Sequence, residues 1–286
     1  MEKKVLITGA YGQLGQALQK FFPTAECTDL DSFNLSDPNA YESRHWSDYS
    51  TIINAAAYTN VDGAETFEGR EISWQANAKA VQLLAKTAIE NNITLVHISS
   101  DYVFDGTKVP HQEDEPFTPL SVYGESKAAG DIAASLAPKH YIMRTSWVVG
   151  KGNNFVKTMK NLAEKGVDPS VVNDQLGRLT FTEDLAQAIH HVLTTKQEYG
   201  TYNITNTGDI VSWADIAKIV YESFDHDPNR ITGVSTSEYY VGKIGIAPRP
   251  LLSELDLTKI TKTGFTPRNW KVALGEYIEE LKQENN

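Results

Sequence analysis

The stretch Val5-Leu6-Ile7-Thr8-Gly9-Ala10-Tyr11-Gly12-Gln13-Leu14-Gly15 decides the fold. A short apolar run, long enough for a buried strand, ends at Gly9 and gives way to a helical pattern. Glycines at this spacing allow a tight turn, a close approach of backbone N–H groups to a pyrophosphate, and close packing of helix on strand. The helix N-terminus adds a positive dipole end. The stretch therefore predicts a dinucleotide-binding turn, with an ordinary glycine turn as the alternative.

The composition limits the class of protein. With 286 residues the chain is long enough for one large α/β domain with an appended part. A net charge of −11 argues against nucleic acid and anionic membranes as partners. One cysteine, Cys27, excludes an internal disulfide, and no apolar run approaches the length of a membrane span or a signal peptide. We expect a protein of the reducing cytoplasm.

Strand and helix patterns alternate through residue 147. Strands are predicted at 25–28, 51–54, 94–98 and 140–144, with a helix from about Trp74 to Asn91 and another around Tyr123. This order predicts a Rossmann-type doubly wound parallel sheet in residues 1–147. Residues 148–286 read as a smaller C-terminal substrate-binding part, some of it returning to the sheet, with helices predicted at 155–164, 182–193, 212–224 and 271–281.

Two further segments point to a ligand at the carboxyl edge of this sheet. Asp29 follows the second predicted strand about 20 residues after Gly9, where such folds place a carboxylate on the adenine ribose. Ala55-Ala56-Ala57 follow the third strand and leave room for a ligand against the backbone. An Asp in a turn and small residues in a loop are the alternatives. Together with the glycines, the segments favour a dinucleotide.

Tyr123 and Lys127 are four residues apart and share one face of a helix. Lowering the pKa of a tyrosine from about 10 to neutrality takes about 4 kcal/mol, which an ammonium about 4 Å away supplies at an effective dielectric constant near 20. Ser100, at the end of a neighbouring strand, is placed to polarise a carbonyl. The alternative is a charge pair on a solvated helix face. The pattern predicts proton transfer to a ketone.

The sequence resembles the extended short-chain dehydrogenase/reductases, and within them the dTDP-4-dehydrorhamnose reductases, over nearly its whole length. The resemblance rests on seven segments: the glycine turn at 7–15, Asn54-Ala55-Ala56-Ala57-Tyr58-Thr59, Ser99-Ser100-Asp101-Tyr102-Val103-Phe104-Asp105-Gly106, Pro119 to Lys127, Arg144-Thr145-Ser146-Trp147, Asp174-Gln175 with Gly177, and Arg249-Pro250 with Ser253. Two of these segments, 101–106 and 144–147, resemble these reductases rather than the wider superfamily.

The resemblance implies hydride transfer from NADPH or NADH to the C4 ketone of a dTDP-linked 4-keto-6-deoxy sugar. It implies that Tyr123 donates the proton, Lys127 holds the nicotinamide ribose and depresses the tyrosine pKa, and Ser100 polarises the ketone. The expected cofactor-binding residues are Gly9, Tyr11, Gly12, Gln13, Leu14, Asp29, Asn34, Leu35, Ala55, Ala56, Ala57, Tyr58, Tyr123 and Lys127. The expected substrate-binding residues are Ser100, Asp101, Trp147, Gln175 and Arg249. For Asp101 and Trp147 a loop-capping Asp and a packed aromatic are the alternatives.

The sequence departs from the family pattern at two places. Asn34-Leu35 stands where the family often has Asp-Leu near the adenine. Some relatives bind Mg²⁺ between subunits through carboxylates, for which Glu183 and Asp184 are candidates here, but Ala17 stands where those relatives carry a Glu. We therefore predict no metal-bridged dimer of that type, and leave Mg²⁺ and a homodimer open. The resemblance favours NADP(H) over NAD(H), although Asp29 opposes a 2′-phosphate unless a cation compensates.

Two other functions share these residues. A nucleotide-sugar epimerase or 4,6-dehydratase keeps the hydroxyl residue, the tyrosine and the lysine, but the dehydratases place a Glu two residues after the hydroxyl residue, where this chain has Tyr102. The regulatory subunit of methionine adenosyltransferase resembles these reductases and binds NADP. The intact set of Ser100, Tyr123 and Lys127 weighs against the second function.

Overall fold

A six-stranded parallel sheet organises the computed structural model, which describes residues 3–284. The outermost residues of the two predicted parts, 1–2 and 285–286, lie outside the described residues. The strands are β1 Lys4–Thr8, β2 Glu26–Thr28, β3 Tyr49–Asn54, β4 Thr94–Ser100, β5 His140–Thr145, β6 Val148–Val149, β7 Ser170–Val172, β8 Leu176–Gly177, β9 Thr180–Phe181, β10 Gly200–Asn203, β11 Val211–Ser212 and β12 Thr232–Val234. The main sheet has the order β10-β5-β4-β3-β1-β2, which is a doubly wound arrangement.

Helices cover both faces of this sheet. They are α1 Gln13–Phe21, α2 Phe67–Trp74, α3 Ala80–Asn91, α4 Val122–Ser135, α5 Phe155–Glu164, α6 Thr182–Thr194, α7 Trp213–Ser223, α8 Thr236–Tyr240, α9 Thr258–Lys262 and α10 Trp270–Gln283. On one face Leu18 of α1 and Ile189 of α6 belong to one buried cluster with Ile7 and Val96. On the other, Leu84 of α3 and Ala134 of α4 pack with Ile52 and Leu95. Both faces are covered, as a parallel sheet of buried apolar strands requires.

The C-terminal half contributes to both cores. Strand β10 pairs in parallel with β5, and α6 packs on α1, so residues after 147 complete the main sheet and its helix layer. A separate cluster joins α5, α7 and α10 through Val156, Ile216, Val220, Trp270 and Leu274. No helix within residues 3–284 has the length and hydropathy needed to cross a membrane.

The prediction of one helix from Trp74 to Asn91 is wrong in its first half. Helix α2 begins at Phe67. Its N-cap is Thr66, whose side chain accepts a hydrogen bond from Gly69 N. A π-helical turn at Gln75–Lys79 then leads into α3. The predicted helix at 155–164 has the observed bounds, and the other predicted helices and strands differ from the observed ones by a few residues at their ends.

Candidate active site

The carboxyl ends of the central strands open into a cavity of about 680 Å³. Residues at or just beyond the ends of β1, β2 and β3 line it, and the π-helical turn closes one side. In open α/β sheets ligands bind at this edge, where the strand order reverses. Its position beside β1 makes this cavity the candidate dinucleotide site.

The glycine turn is built for close approach. Gly9 has a φ of +67°, and a Cβ on it would lie 2.5 Å from Ala56 N. A Cβ on Gly15 would lie 2.1 Å from Gly9 O, so helix α1 packs directly on the turn. Gly12 is the N-cap of α1, and no side chain caps the first N–H groups of this helix. These donors and the helix dipole are free for a phosphate, which is the fit that a dinucleotide requires.

Many of the expected cofactor residues surround this cavity. Its lining includes Gly9, Gly12, Asp29, Asn34, Leu35, Ala55, Ala56, Ala57 and Tyr58. Five expected residues are outside this lining: Tyr11, Gln13, Leu14, Tyr123 and Lys127. The Tyr11 side chain is 67% exposed, Leu14 is packed in the core, and Gln13 Nε2 donates to Asn153 O at 3.2 Å. Leu14 can therefore meet a dinucleotide only through its backbone, and the Gln13 side chain only by leaving Asn153.

Carboxylates dominate the charge of the lining. Asp29, Asp37 and Glu71 line the cavity, and none of its described lining residues is a lysine or an arginine. Asp29 Oδ1 accepts a hydrogen bond from Leu30 N at 2.8 Å, and Oδ2 accepts from Tyr11 N at 3.3 Å. These bonds fix the carboxylate beside the glycine turn.

Asn77, which sequence reasoning missed, holds Tyr58 in place. Its Oδ1 accepts from Tyr58 N at 2.9 Å and its Nδ2 donates to Tyr58 O at 3.1 Å. Asn77 lies in the π-helical turn, a feature that is frequent at functional sites. Tyr58 in turn packs against the buried cluster of Ala64, Val122 and Tyr123, so this turn positions a cavity residue that adjoins the cluster containing the phenol.

Tyr123 lies on the first turn of α4, whose N-cap Ser121 accepts from Gly124 N. The phenol is buried, hydrogen-bonds to Ser100, and meets the edge of the Tyr102 ring at a centroid distance of 5.3 Å. Burial, together with the negative charge of Asp101, raises the pKa of Tyr123 to about 12, and the Ser100 hydrogen bond opposes this rise. The phenol is therefore protonated at neutral pH.

Lys127 has a different role in the structure from the one its spacing suggests. Its Nζ donates to Ile98 O at 2.6 Å, and burial lowers the pKa of the ammonium to about 8, against the opposing field of Asp131. The expectation that Lys127 depresses the pKa of Tyr123 is not met, because burial and the charge of Asp101 raise that pKa. Asp131 is four residues from Lys127, a signal that sequence reasoning passed over; Arg144 Nε donates to it at 2.9 Å.

A second cavity of about 460 Å³ contains the expected substrate residues Trp147, Gln175 and Arg249. Tyr102 and Ser253 also line it, and Ser253 hydrogen-bonds to Asp101. Because Tyr102 contacts Tyr123, this cavity borders the phenol. Asp101 is buried and accepts from Ser100 Oγ at 3.0 Å, so it lies behind Ser100 rather than in the cavity wall.

Neighbours already hold each of the three cavity residues. The Trp147 ring stacks on Trp213 with a centroid distance of 3.7 Å, and Trp147 adopts a φ of +47°. Gln175 Nε2 donates to Thr236 Oγ1 at 3.1 Å. Arg249 Nη2 donates to Asp62 Oδ2 at 2.8 Å. No pattern in the sequence linked Trp213 or Asp62 to this site.

The carboxylates that the resemblance offered for Mg²⁺ are bound to cations of the chain. Glu183 pairs with Lys20, and Asp184 accepts from Arg268 Nε at 2.6 Å and from Asn206 Nδ2 at 2.7 Å. Within residues 3–284 no group of three or more His, Cys, Asp or Glu side chains could hold a metal ion. The residues present do not fit a metal here.

The chain is similar to known proteins over almost its whole length. A dTDP-4-dehydrorhamnose reductase of Aggregatibacter actinomycetemcomitans is 38% identical over 305 residues, covering 95% of this chain and 97% of that protein. A crystal structure of a dTDP-4-dehydrorhamnose reductase from Clostridium acetobutylicum has a TM-score of 0.86 and 38% identity, covering 98% of this chain and 99% of the other. One from Bacillus anthracis in complex with NADP has a TM-score of 0.88 and 34% identity, covering 98% and 100%.

The family assignment covers almost the whole chain. A family model described as the RmlD substrate binding domain matches residues 3–283, a range that includes the glycine turn, the Ser100–Tyr123–Lys127 cluster and the second cavity. The chain therefore belongs to the RmlD substrate binding domain family.

Proposed function

We propose that this chain reduces the C4 ketone of dTDP-4-dehydrorhamnose to dTDP-L-rhamnose, with hydride from NADPH or NADH. The observation that carries the proposal is a neutral buried phenol, Tyr123, that is hydrogen-bonded to Ser100 and contacts Tyr102 of the second cavity's lining, with Lys127 one turn further along α4. The reductases to which the chain is similar over nearly its whole length support this substrate.

The chain's own residues supply the general acid and the hydrogen-bond donor that polarises the ketone. The reduced nicotinamide, when bound, supplies the hydride. Ser100 donates to the ketone oxygen as negative charge develops there, and Tyr123 gives its proton to the resulting alkoxide, a stronger base than phenolate. We propose that Lys127 holds the nicotinamide ribose from Nζ, which lies at the end of β4 beside Ile98. Gly9, Gly12 and the first turn of α1 hold the phosphates.

We propose that the second cavity takes the nucleotide sugar. The stacked pair of Trp147 and Trp213 offers an apolar face to a sugar or a base. Arg249 is the arginine of this lining and can reach a diphosphate if it leaves Asp62. The cavity borders Tyr102 and thus Tyr123, which places the reacting carbon near the acid.

The direct test supplies the keto sugar formed in situ, with NADPH and NADH in parallel. We expect stoichiometric oxidation of the dinucleotide and formation of the 6-deoxyhexose, measured by absorbance at the nicotinamide band and by chromatography. Tightly held NAD without net oxidation would instead indicate an epimerase or dehydratase. Recovery of a stoichiometric synthetase without ketone reduction would indicate a regulatory subunit.

The NADP complex of the B. anthracis relative supports NADP(H) as the cofactor here. The carboxylates of the cavity nevertheless oppose a 2′-phosphate, so we expect the chain to accept NADH as well. An Asp29→Asn variant is expected to lower the KM for NADPH relative to that for NADH by about tenfold, since removing one nearby negative charge is worth about 1–4 kcal/mol. Steady-state kinetics with both dinucleotides measure the change.

Asp31→Asn is the matched control, because Asp31 is two residues away and outside the lining of this cavity. The ratio of the two KM values should not change in that variant. An unchanged ratio in Asp29→Asn would show that the Asp29 carboxylate does not face the 2′ position.

A further inference from the structure

Asp101 Oδ2 and His111 Nε2 are among the buried side-chain atoms that have no hydrogen-bond partner within residues 3–284. Their side chains are 2% and 0% exposed. The two groups interact electrostatically. Buried polar atoms without partners are rare and call for an explanation in each case. Asp101 also contacts Ser100, and His111 also contacts Glu115, so the two side chains link a residue beside the phenol to one at the surface.

The inner end of this group reaches Tyr123. Asp101 Oδ1 accepts the hydroxyl proton of Ser100 at 3.0 Å, and Ser100 hydrogen-bonds to the phenol. Since a hydroxyl has a single proton, Ser100 donates to Asp101 in this structure and can donate to a ketone or phenolate oxygen only after its hydroxyl rotates. The order of contacts is therefore phenol, hydroxyl, carboxyl.

The outer end reaches solvent. His111 Nδ1 lies 3.0 Å from both carboxylate oxygens of Glu115, whose side chain is 25% exposed. The imidazole stacks on Phe104 at a centroid distance of 4.4 Å and an angle of 6°. Backbone bonds from His111 N to Glu254 O and from Asp256 N to His111 O, both 2.9 Å, hold the residue in place. The ring is thus fixed with one nitrogen toward the surface and the other buried.

We propose that Asp101, His111 and Glu115 form a path that returns a proton from solvent to Tyr123 after each reduction. This inference rests on the proposed function, because ketone reduction consumes one proton per turnover at a buried site. After Tyr123 gives its proton to the alkoxide, Ser100 passes its proton to the phenolate and takes one from Asp101. Asp101 takes one from His111 through a bridging water, and His111 regains it from solvent at Glu115. One proton enters and one leaves in the product hydroxyl.

The charges around the path are compatible with this transfer. Burial raises the pKa of Asp101 to about 6, so this carboxyl can carry a proton at neutral pH at low cost. Ser253 and Ser100 oppose that rise by hydrogen bonds, and the buried phenols of Tyr102 and Tyr123 face Asp101. On the outer side His111 faces Glu115 and interacts with Asp105.

His111→Phe tests the path, because phenylalanine retains the stack on Phe104 and removes both nitrogens. The first turnover uses the proton already on Tyr123, so its rate should remain near that of the wild type. Later turnovers should slow by about 100-fold, the low end of the contribution of general acid–base catalysis, with a larger solvent deuterium isotope effect on kcat. Stopped-flow oxidation of NADPH resolves the two phases.

His191→Phe is the matched control, since His191 also packs against a phenylalanine, Phe265, and bonds to Thr263 away from the site. Its two phases should match the wild type. Equal slowing of the first and later turnovers in His111→Phe would show a structural role, and wild-type rates in both would also overturn the path. If His111→Phe does not fold, Glu115→Gln tests the path instead. This variant keeps the imidazole and should slow only the later turnovers. Absence of turnover by the wild type would refute the proposed function instead.

Discussion

A Tyr123→Phe variant is expected to lose about 10²- to 10⁴-fold in kcat for ketone reduction, the usual contribution of a general acid. The buried phenol is the proposed proton donor, and its pKa, which burial raises to about 12, keeps it protonated at neutral pH. The ring of phenylalanine retains the edge contact with Tyr102 and the packing with Ala64 and Val122. Dissociation constants for NADPH, measured by fluorescence titration, should stay within about twofold of wild type.

The matched control is Tyr102→Phe, which removes a hydroxyl from the neighbouring ring and leaves the edge contact with Tyr123. This variant should retain most of the turnover, because Tyr102 is not assigned a proton in the reaction. Wild-type turnover by Tyr123→Phe would remove Tyr123 from the mechanism. A large loss of NADPH affinity in that variant would show that its effect is not confined to proton transfer.

The sequence predicted the sheet edge well, because that prediction needs only the positions where strands end. Thr8, Asn54, Ser100 and Thr145 are the last residues of four neighbouring parallel strands, so the segments after them had to lie on one edge. The glycine turn was readable for a similar reason. At Gly9 and Gly15 the backbone approaches neighbouring backbone so closely that a Cβ would clash, and this steric requirement can be predicted from the glycines themselves.

The region between Phe67 and Lys79 was less readable. Apolar periodicity located the helix that covers the sheet, but the π-helical turn at Gln75–Lys79 depends on a tertiary contact, the pair of hydrogen bonds between Asn77 and Tyr58. Helical periodicity says nothing about such a bond. The start at Phe67 had a local signal in Thr66, a capping residue.

The electrostatic interactions of the site could not be predicted from the spacing of its residues in the sequence. Four residues on a helix place Tyr123 and Lys127 on one face, yet the direction of a long side chain depends on its partners, and here Nζ donates to Ile98 O. The link from Asp101 to His111 joins a strand end to a loop ten residues later. Only the packed loop, held by residues 252–256, brings the two together.

A Lys127→Met variant is expected to lose about 10- to 100-fold in affinity for NADPH and a similar factor in kcat, since hydrogen bonds to charged groups contribute about 1.5–3 kcal/mol. Methionine fills nearly the same volume without the ammonium. Titration of NADPH binding and steady-state kinetics measure the two losses. Lys86→Met on the exposed side of α3 is the control and should change neither, because Lys86 is paired with Glu90 at the surface.

The lowered pKa of Lys127 leads to a prediction of how kcat/KM for NADPH depends on pH. Burial lowers the pKa of Lys127 to about 8, so the ammonium is charged below that pH and loses its charge above it. The wild-type kcat/KM for NADPH should therefore be level near pH 7 and fall as the pH rises through about 8. In Lys127→Met this fall should be absent, because no charge remains to be lost. A wild-type profile that stays level to pH 10 would show that the ammonium keeps its proton, which requires that Asp131 stabilises it more than burial destabilises it.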